Sequence, residues 1–163
     1  MQHVSIGEEK KMLRKAQISD VKTIHRMINI SAGREEMLPR SLMDIYGSLR
    51  DFVVCYDEEN RCIKGICAMN IIWENLSEIR SLYVEERYRG LGIGRKLVEA
   101  CLSEAITLEL YRIFTLTYKK DFFRHLGFVE VDRSTLSEKI WSDCFRCSKY
   151  PDYCDEAAMI ITL

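Results

Sequence analysis

The chain has 163 residues, of which 47% are hydrophobic, with 24 lysines and arginines against 25 acidic residues. This length suits a single domain with a sizeable core, and the composition excludes disordered, collagen-like and Pro/Gly-rich linker chains. The net charge of −1 provides no global positive field. We therefore expect neither nucleic acid nor a membrane surface as a partner.

The N-terminal residues are polar and aperiodic, without the apolar region of a signal peptide, and no apolar run reaches the ~18 residues of a membrane span. We predict a flexible arm over residues 1–11, a single domain over residues 12–163, and a cytoplasmic location. The oligomeric state stays open, with a homodimer as one option.

The sequence of the first half of the chain predicts a short strand, two helices and then three further strands. A short strand at 12–16 precedes a helix for which Ser19 is the expected N-cap, with apolar residues following at helical spacing. Ser41 is the expected cap of a second helix. Strands are then predicted at 52–56, 62–73 and 78–84.

In the second half, the period of the apolar residues changes to that of a long helix, which begins near Gly94 and covers about four turns. The remaining elements are a strand at 113–117, a helix at 120–126, and strands at 128–131 and 157–163. This order predicts an α/β (α+β) fold, with a mixed sheet and helices on both faces.

The loop before this long helix carries the strongest functional signal. Gly90, Gly92 and Gly94 occupy every second position, so that successive backbone N–H groups can turn towards one point at a helix N-terminus. Arg89 and Arg95 can add charge at the rim of this loop. The pattern indicates a cradle for a pyrophosphate, and the alternative is a glycine-rich helix entry without a ligand.

The run Arg89-Gly90-Leu91-Gly92-Ile93-Gly94 matches the acetyl-CoA signature of the GNAT N-acetyltransferases, and residues 122–128 resemble their second signature. The resemblance covers residues 12–163. It implies the GNAT fold, a mixed, mostly antiparallel sheet in which two strands splay apart, with the co-substrate acetyl-CoA between them. The cofactor-binding residues that it implies are Leu82, Tyr83, Val84, Arg89, Gly90, Leu91, Gly92, Ile93, Gly94 and Arg95.

Three further segments resemble the acetyltransferase domain of N-acetylglutamate synthases, most closely the short, stand-alone bacterial forms without an amino-acid-kinase domain. These segments are 37–41, 77–84 and 139–148. The resemblance implies acetyl transfer to the α-amine of L-glutamate, the first step of arginine biosynthesis. It implies acceptor-binding roles for Arg40, Lys139, Arg146 and Ser148. Arginine binds carboxylates bidentately and so suits a dicarboxylate, and solvated surface charges are the alternative.

Direct transfer needs a base for the amine and a proton for the departing thiolate. Glu78 is the candidate base, acting directly or through one water, and a strand glutamate without a chemical role is the alternative. Phe123 occupies the place of the tyrosine acid that many GNAT enzymes use, so Tyr118 is the candidate substitute. A thiol with a pKa of about 8.5 can also leave unaided.

Other functions remain open on the same fold. The acceptor could be another small amine or a protein N-terminus, and a non-catalytic module that senses acyl-CoA is a further alternative. A structural zinc held by Cys144, Cys147 and Cys154 is a secondary hypothesis, since no fourth ligand is evident. A redox-sensitive disulfide is another option, and unliganded thiols are the interpretation that we favour.

Overall fold

The structure is a computed structural model that describes residues 12–136 and 156–163. The strands are β1 (Leu13–Lys15), β2 (Phe52–Asp57), β3 (Cys62–Trp73), β4 (Leu76–Val84), β5 (Arg112–Thr117), β6 (Val129–Val131) and β7 (Ala157–Thr162). The helices are α1 (Val21–Gly33), α2 (Leu42–Gly47), α3 (Ile93–Thr107) and α4 (Lys120–His125). The predicted order of helices and strands is confirmed for these residues. Within the described ranges, the helices lack the combination of length and apolarity that crossing a membrane requires.

Seven strands in the described residues form one sheet in the order β1-β2-β3-β4-β5-β7-β6. The pairs β1–β2, β2–β3, β5–β7 and β6–β7 are antiparallel, whereas β4 and β5 are parallel. A parallel pair needs a long crossover connection, and α3 lies in the connection between β4 and β5. The predicted mixed, mostly antiparallel sheet is therefore confirmed.

The chain divides into two compact units, each of which includes part of β3 and β4. The first unit comprises the residues up to Ala68 together with Ser81–Cys101. The second comprises Met69–Arg80 and the residues from Leu102 onwards.

The core of the first unit follows from the apolar stripe of α1. Val21, Ile24 and Ile28 recur at helical spacing and are completely buried. They belong to the same cluster as Phe52 and Val54 of β2, which are also buried. Burying a side chain of this size contributes about 1.5–3 kcal/mol, so this stripe fixes α1 to the unit.

The N-terminus of α1 differs from the prediction, because Ser19 lies inside a 3₁₀ turn and is exposed. The buried carboxylate of Asp20 instead accepts a hydrogen bond from the backbone N–H of Gln17 at 2.7 Å. It also accepts two bonds from the guanidinium of Arg14, at 2.7 and 3.1 Å. A bidentate, charge-assisted contact is stronger than the single neutral bond that a serine hydroxyl offers.

In the second unit, the core cluster comprises Phe114 of β5, Leu136 and Ala158 of β7, all of which are buried. Partly buried side chains on β4 and β6, Leu76 and Val131, pack against it. Phe114 also has Glu78 as its partner in the parallel β4–β5 register. The core of this unit therefore anchors the part of β4 that carries the candidate base.

Candidate functional site

The glycine loop connects the end of β4, through a 3₁₀ turn at Glu86–Tyr88, to the first turn of α3. Gly90 and Gly92 have φ angles of +79° and +81°, a conformation that residues with a side chain rarely adopt. A Cβ atom added to either glycine would meet no heavy atom within 4 Å. The backbone therefore requires these glycines, and the space beside them is open to a ligand.

The start of α3 presents N–H groups at this open space. The backbone N–H of Lys96 donates to the carbonyl of Gly92 at 3.1 Å. The N–H groups of the preceding first turn, at residues 93–95, have no intrahelical partner because of helix geometry. Together with the positive end of the helix dipole, they form an arrangement that binds an anion such as a phosphate.

The position of α3 depends on a glycine in the neighbouring strand. A Cβ added to Gly65 of β3 would lie 3.0 Å from the side chain of Leu97 and 3.0 Å from the backbone carbonyl of Tyr83. Both distances are shorter than a normal van der Waals contact, so any side chain here would displace α3 or β4. Because Leu97 is completely buried, α3 has little freedom to move away.

The two arginines predicted at the rim of the loop have intramolecular partners. The Nε of Arg89 donates to the carbonyl of Val84 at 2.9 Å, and its guanidinium lies 5.7 Å from the centre of the Tyr83 ring. Arg89 thereby links the end of β4 to the loop. The Nε of Arg95 donates to Glu99 one helical turn away, at 2.8 Å, and both side chains are exposed.

The turn that leads into the loop is fixed to β3. The backbone N–H of Glu85 donates to the carbonyl of Lys64 at 2.8 Å, and the ammonium of Lys64 lies 5.0 Å from the centre of the Tyr88 ring. The Tyr88 hydroxyl lies 3.8 Å from the thiol of Cys62, and this contact, followed by burial, raises the pKa of Tyr88. These contacts were not predicted, since they join residues that are distant in sequence.

Glu78, the candidate base, lies on β4 with only 14% of its side chain exposed. Arg80, two residues further on the same face of the strand, places a guanidinium nitrogen 3.9 Å from its carboxylate. Three residues after Glu78, Ser81 has a φ of +55°, which is unusual for a residue with a side chain. No feature of the sequence signals this irregularity, because serine has no special preference for that region.

The candidate proton donors differ in their surroundings. Tyr118 follows β5 directly and is 38% exposed. Phe123 of α4 is buried and makes edge-to-face contacts with Phe122 and Phe128, at centroid distances of 5.0 and 5.2 Å. The position that carries a tyrosine acid in many GNAT enzymes is therefore occupied here by a core aromatic residue.

Arg40, a predicted acceptor-binding residue, is half-buried and immediately precedes Ser41. The predicted cap at Ser41 is confirmed, since its hydroxyl accepts from the backbone N–H of Asp44 at 3.1 Å. The carbonyl of Arg40 accepts from the side chain of Asn29 on α1 at 3.4 Å. The backbone of Arg40 is thus hydrogen-bonded to α1 and directly precedes the cap of α2.

The remaining predicted residues fall outside the part of the chain that the structure describes. They are Lys139, Cys144, Arg146, Cys147, Ser148 and Cys154. Within residues 12–136 and 156–163, no group of three or more His, Cys, Asp or Glu side chains is arranged to hold a metal ion. The described residues thus give no support to a structural zinc.

Two relatives match most of the chain. It is 40% identical to an uncharacterised N-acetyltransferase of Chlorobaculum tepidum, over 93% of this chain and 96% of the relative. It is 29% identical to the amino-acid acetyltransferase of Mycobacterium tuberculosis, over 83% of this chain and 78% of the relative.

Two solved structures have a similar fold. A protein of Mycobacterium tuberculosis in complex with CoA superposes with a TM-score of 0.81 at 26% identity, covering 93% of this chain and 98% of that chain. The N-acetylglutamate synthase of Neisseria gonorrhoeae, complexed with coenzyme A and N-acetyl-glutamate, gives a TM-score of 0.82 at 19% identity. The second match covers 93% of this chain but 34% of the synthase, and it shows a common fold alone.

Residues 48–130 match the family described as the acetyltransferase (GNAT) domain. This range includes the β3–β4 hairpin, the glycine loop and α3. The open cradle at residues 90–95 thus lies in the segment that matches the family. The chain belongs to the GNAT family of acetyltransferases, which transfer an acyl group from acetyl-CoA.

Proposed function

We propose that this acetyltransferase transfers the acetyl group of acetyl-CoA to the α-amine of L-glutamate. The acetyl-CoA part rests on the open glycine cradle at the N-terminus of α3. The choice of acceptor is supported by the similarity to an amino-acid acetyltransferase over 83% of the chain.

In the proposed reaction, residues 90–95 bind the pyrophosphate of acetyl-CoA, and the backbones of Leu82, Tyr83 and Val84 bind its pantetheine arm. Glu78 accepts a proton from the ammonium of the acceptor, directly or through a water, so that the neutral amine can attack the thioester carbon. The C–N bond forms and the C–S bond breaks. The departing thiolate takes a proton from Tyr118 or from solvent. The acetylated nitrogen loses its second proton to solvent, which also returns a proton to Tyr118 where that residue has donated one.

Arg40 and Arg146 are the proposed partners of the two glutamate carboxylates, with Ser148 and Lys139 as further donors. A guanidinium binds a carboxylate through two parallel hydrogen bonds, which gives both affinity and orientation. The half-buried position of Arg40 is consistent with this role, because partial burial strengthens a charge-assisted contact.

Acceptor-dependent release of free CoA tests this proposal, with a panel of amino acids, a peptide and a polyamine as acceptors. We expect glutamate to be preferred over glutamine by roughly 10–150-fold in kcat/KM, because glutamine cannot accept the bidentate ion pair at its side chain. Equal rates with both would refute the γ-carboxylate site. Activity on the peptide or polyamine but not on glutamate would refute the glutamate proposal.

Arg40→Ala tests the acceptor site separately from the acetyl-CoA site, and Arg50→Ala is the matched control. Arg50 is an exposed arginine in the same compact unit, within a 3₁₀ turn. We expect Arg40→Ala to raise the KM for glutamate far more than the KM for acetyl-CoA, and Arg50→Ala to change neither. A parallel rise in both KM values would indicate a structural role for Arg40.

A further inference from the structure

A groove of about 510 Å³ lies within the first compact unit and is distinct from the open space beside the glycines. It is formed by the start of α1, the tip of the β2–β3 hairpin and the segment that follows β4. The polar residues that line it are Arg14, Gln17, Ser19, Asp20, Thr23, Arg26, Tyr56, Arg61, Glu85 and Arg87. None of them belongs to the residues proposed for acetyl transfer.

The inner part of this groove is held by a fixed ion pair. Arg14 binds Asp20 through two hydrogen bonds, and its guanidinium lies 4.7 Å from the centre of the Tyr56 ring. Burial alone would raise the pKa of Asp20, but hydrogen bonds from Arg14 and Gln17 outweigh it and lower that pKa. Asp20 is therefore ionised at neutral pH and fully engaged by Arg14.

The charges at the mouth of the groove are not balanced. Arg26 is paired with Glu85 at 2.9 Å, which leaves the exposed Arg61 and Arg87. Arg87 stacks on the Tyr88 ring at 4.9 Å, and neither arginine has an acidic partner among the described residues. Counting only residues 12–136 and 156–163, the groove therefore has two arginines whose charge no acidic side chain pairs with.

We propose that this groove binds a phosphate monoester through Arg61 and Arg87. A phosphate monoester has a charge of about −1.5 to −2 at pH 7, which matches the two arginines, and guanidinium groups bind phosphate bidentately. The hydroxyls of Ser19 and Thr23 and the amide of Gln17 supply further hydrogen-bonding groups. The open, polar groove suits a ligand that remains partly hydrated.

The groove adjoins the turn that leads into the glycine loop. Glu85 directly precedes the 3₁₀ turn at Glu86–Tyr88, and Arg87 lies within it. This turn leads directly into the glycine loop. The same phosphate chemistry has two sources: a free phosphate ester or the 3′-phosphate of the CoA adenosine.

Calorimetry with inorganic phosphate as the probe tests the site at constant ionic strength. The test variant is Arg61→Gln combined with Arg87→Gln, and the control is Arg50→Gln combined with Arg112→Gln. The control removes the same charge from exposed arginines that do not line the groove. Circular dichroism and thermal melting establish that both variants are folded.

We expect phosphate to bind the wild type and the control equally, and the test variant about tenfold more weakly or worse. Absence of saturable binding to the wild type, an equal loss in the control, or unchanged binding in the test variant would overturn the proposal. No acceptor is involved, so this result is independent of the glutamate proposal.

A second measurement distinguishes the two sources of phosphate. Phosphate is titrated into protein saturated with CoA and into protein saturated with 3′-dephospho-CoA. If phosphate fails to bind the CoA-saturated protein but binds the protein saturated with 3′-dephospho-CoA, the groove is assigned to the 3′-phosphate of CoA. If phosphate binds in both titrations, the groove is assigned to a separate phosphate ester. Either pattern supports the groove as a phosphate site when the test variant also binds phosphate more weakly. If phosphate fails to bind in both titrations, it occupies the glycine cradle, and the proposed groove site is refuted.

Discussion

Replacing Gly92 by aspartate gives a direct test of the glycine cradle. The positive φ of Gly92 means that any side chain costs about 1–2 kcal/mol of backbone strain. The open space around its position means that the new side chain meets no neighbour within the chain. We therefore expect Gly92→Asp and its uncharged counterpart, Gly92→Asn, both to fold with a melting temperature modestly lower than that of the wild type.

The comparison of Gly92→Asp with Gly92→Asn isolates charge, because the two side chains have nearly the same shape. A carboxylate about 5 Å from a phosphate, at an effective dielectric constant between that of water and about 20, opposes binding by on the order of 1–3 kcal/mol. This corresponds to a roughly 5–150-fold weaker affinity for acetyl-CoA. The difference should decrease at high ionic strength, because salt screens an exposed pair of charges.

Calorimetric titration of acetyl-CoA into the wild type and both variants, at low and high salt, measures this difference. Thermal melting provides the control that each variant is folded. Equal affinities for the folded aspartate and asparagine variants would refute the cradle, because they would show that no phosphate lies near residue 92.

Three further predictions concern other parts of the molecule. Glu78→Gln should lower kcat by about 10²–10⁴ without changing the affinity for acetyl-CoA, and a wild-type rate would exclude Glu78 as the base. Gly65→Ala should lower the free energy of unfolding by about 1–3 kcal/mol, measured by denaturant titration, because its Cβ would lie 3.0 Å from two heavy atoms; an unchanged midpoint would contradict this. Asp20→Asn should be destabilised relative to the wild type at neutral pH, since hydrogen bonds from Arg14 and the chain depress the pKa of Asp20 below its usual 3.8. That difference should be complete above about pH 4 and diminish as the pH falls through the depressed pKa, and a difference independent of pH would contradict the ion pair.

The helices and strands could be predicted because their signals are local. The apolar stripe of α1, with Ile24 and Ile28 at helical spacing, corresponds directly to its buried face. The start of α1 could not be predicted correctly, because hydrogen bonds from Arg14 and from the Gln17 N–H hold Asp20 at this position, whereas Ser19 lies within the preceding 3₁₀ turn. That ion pair joins a strand to a helix, and sequence spacing contains no information about it.

The candidate site shows the same division between local and distant signals. The alternating glycines were recognisable because positive φ angles at Gly90 and Gly92 require that residue type. The positive φ of Ser81 and the bond from Arg89 to the Val84 carbonyl were not predicted, since neither residue type requires its observed role. Sequence alone predicted Arg89 as a rim charge, whereas the structure also gives it a backbone partner.

The conformation of the glycine loop therefore depends on residues outside the glycine pattern. The carbonyl of Lys64 accepts a hydrogen bond from the backbone N–H of Glu85, and the guanidinium of Arg26 donates one to the Glu85 carboxylate. Arg89 then connects the far side of the same turn to Val84. Because these contacts fix the turn on both sides, the cradle is held in place before acetyl-CoA arrives, which lowers the entropic cost of binding. It follows that substitutions at Arg26 should weaken acetyl-CoA binding without any contact with the ligand, in the manner of a positioning residue.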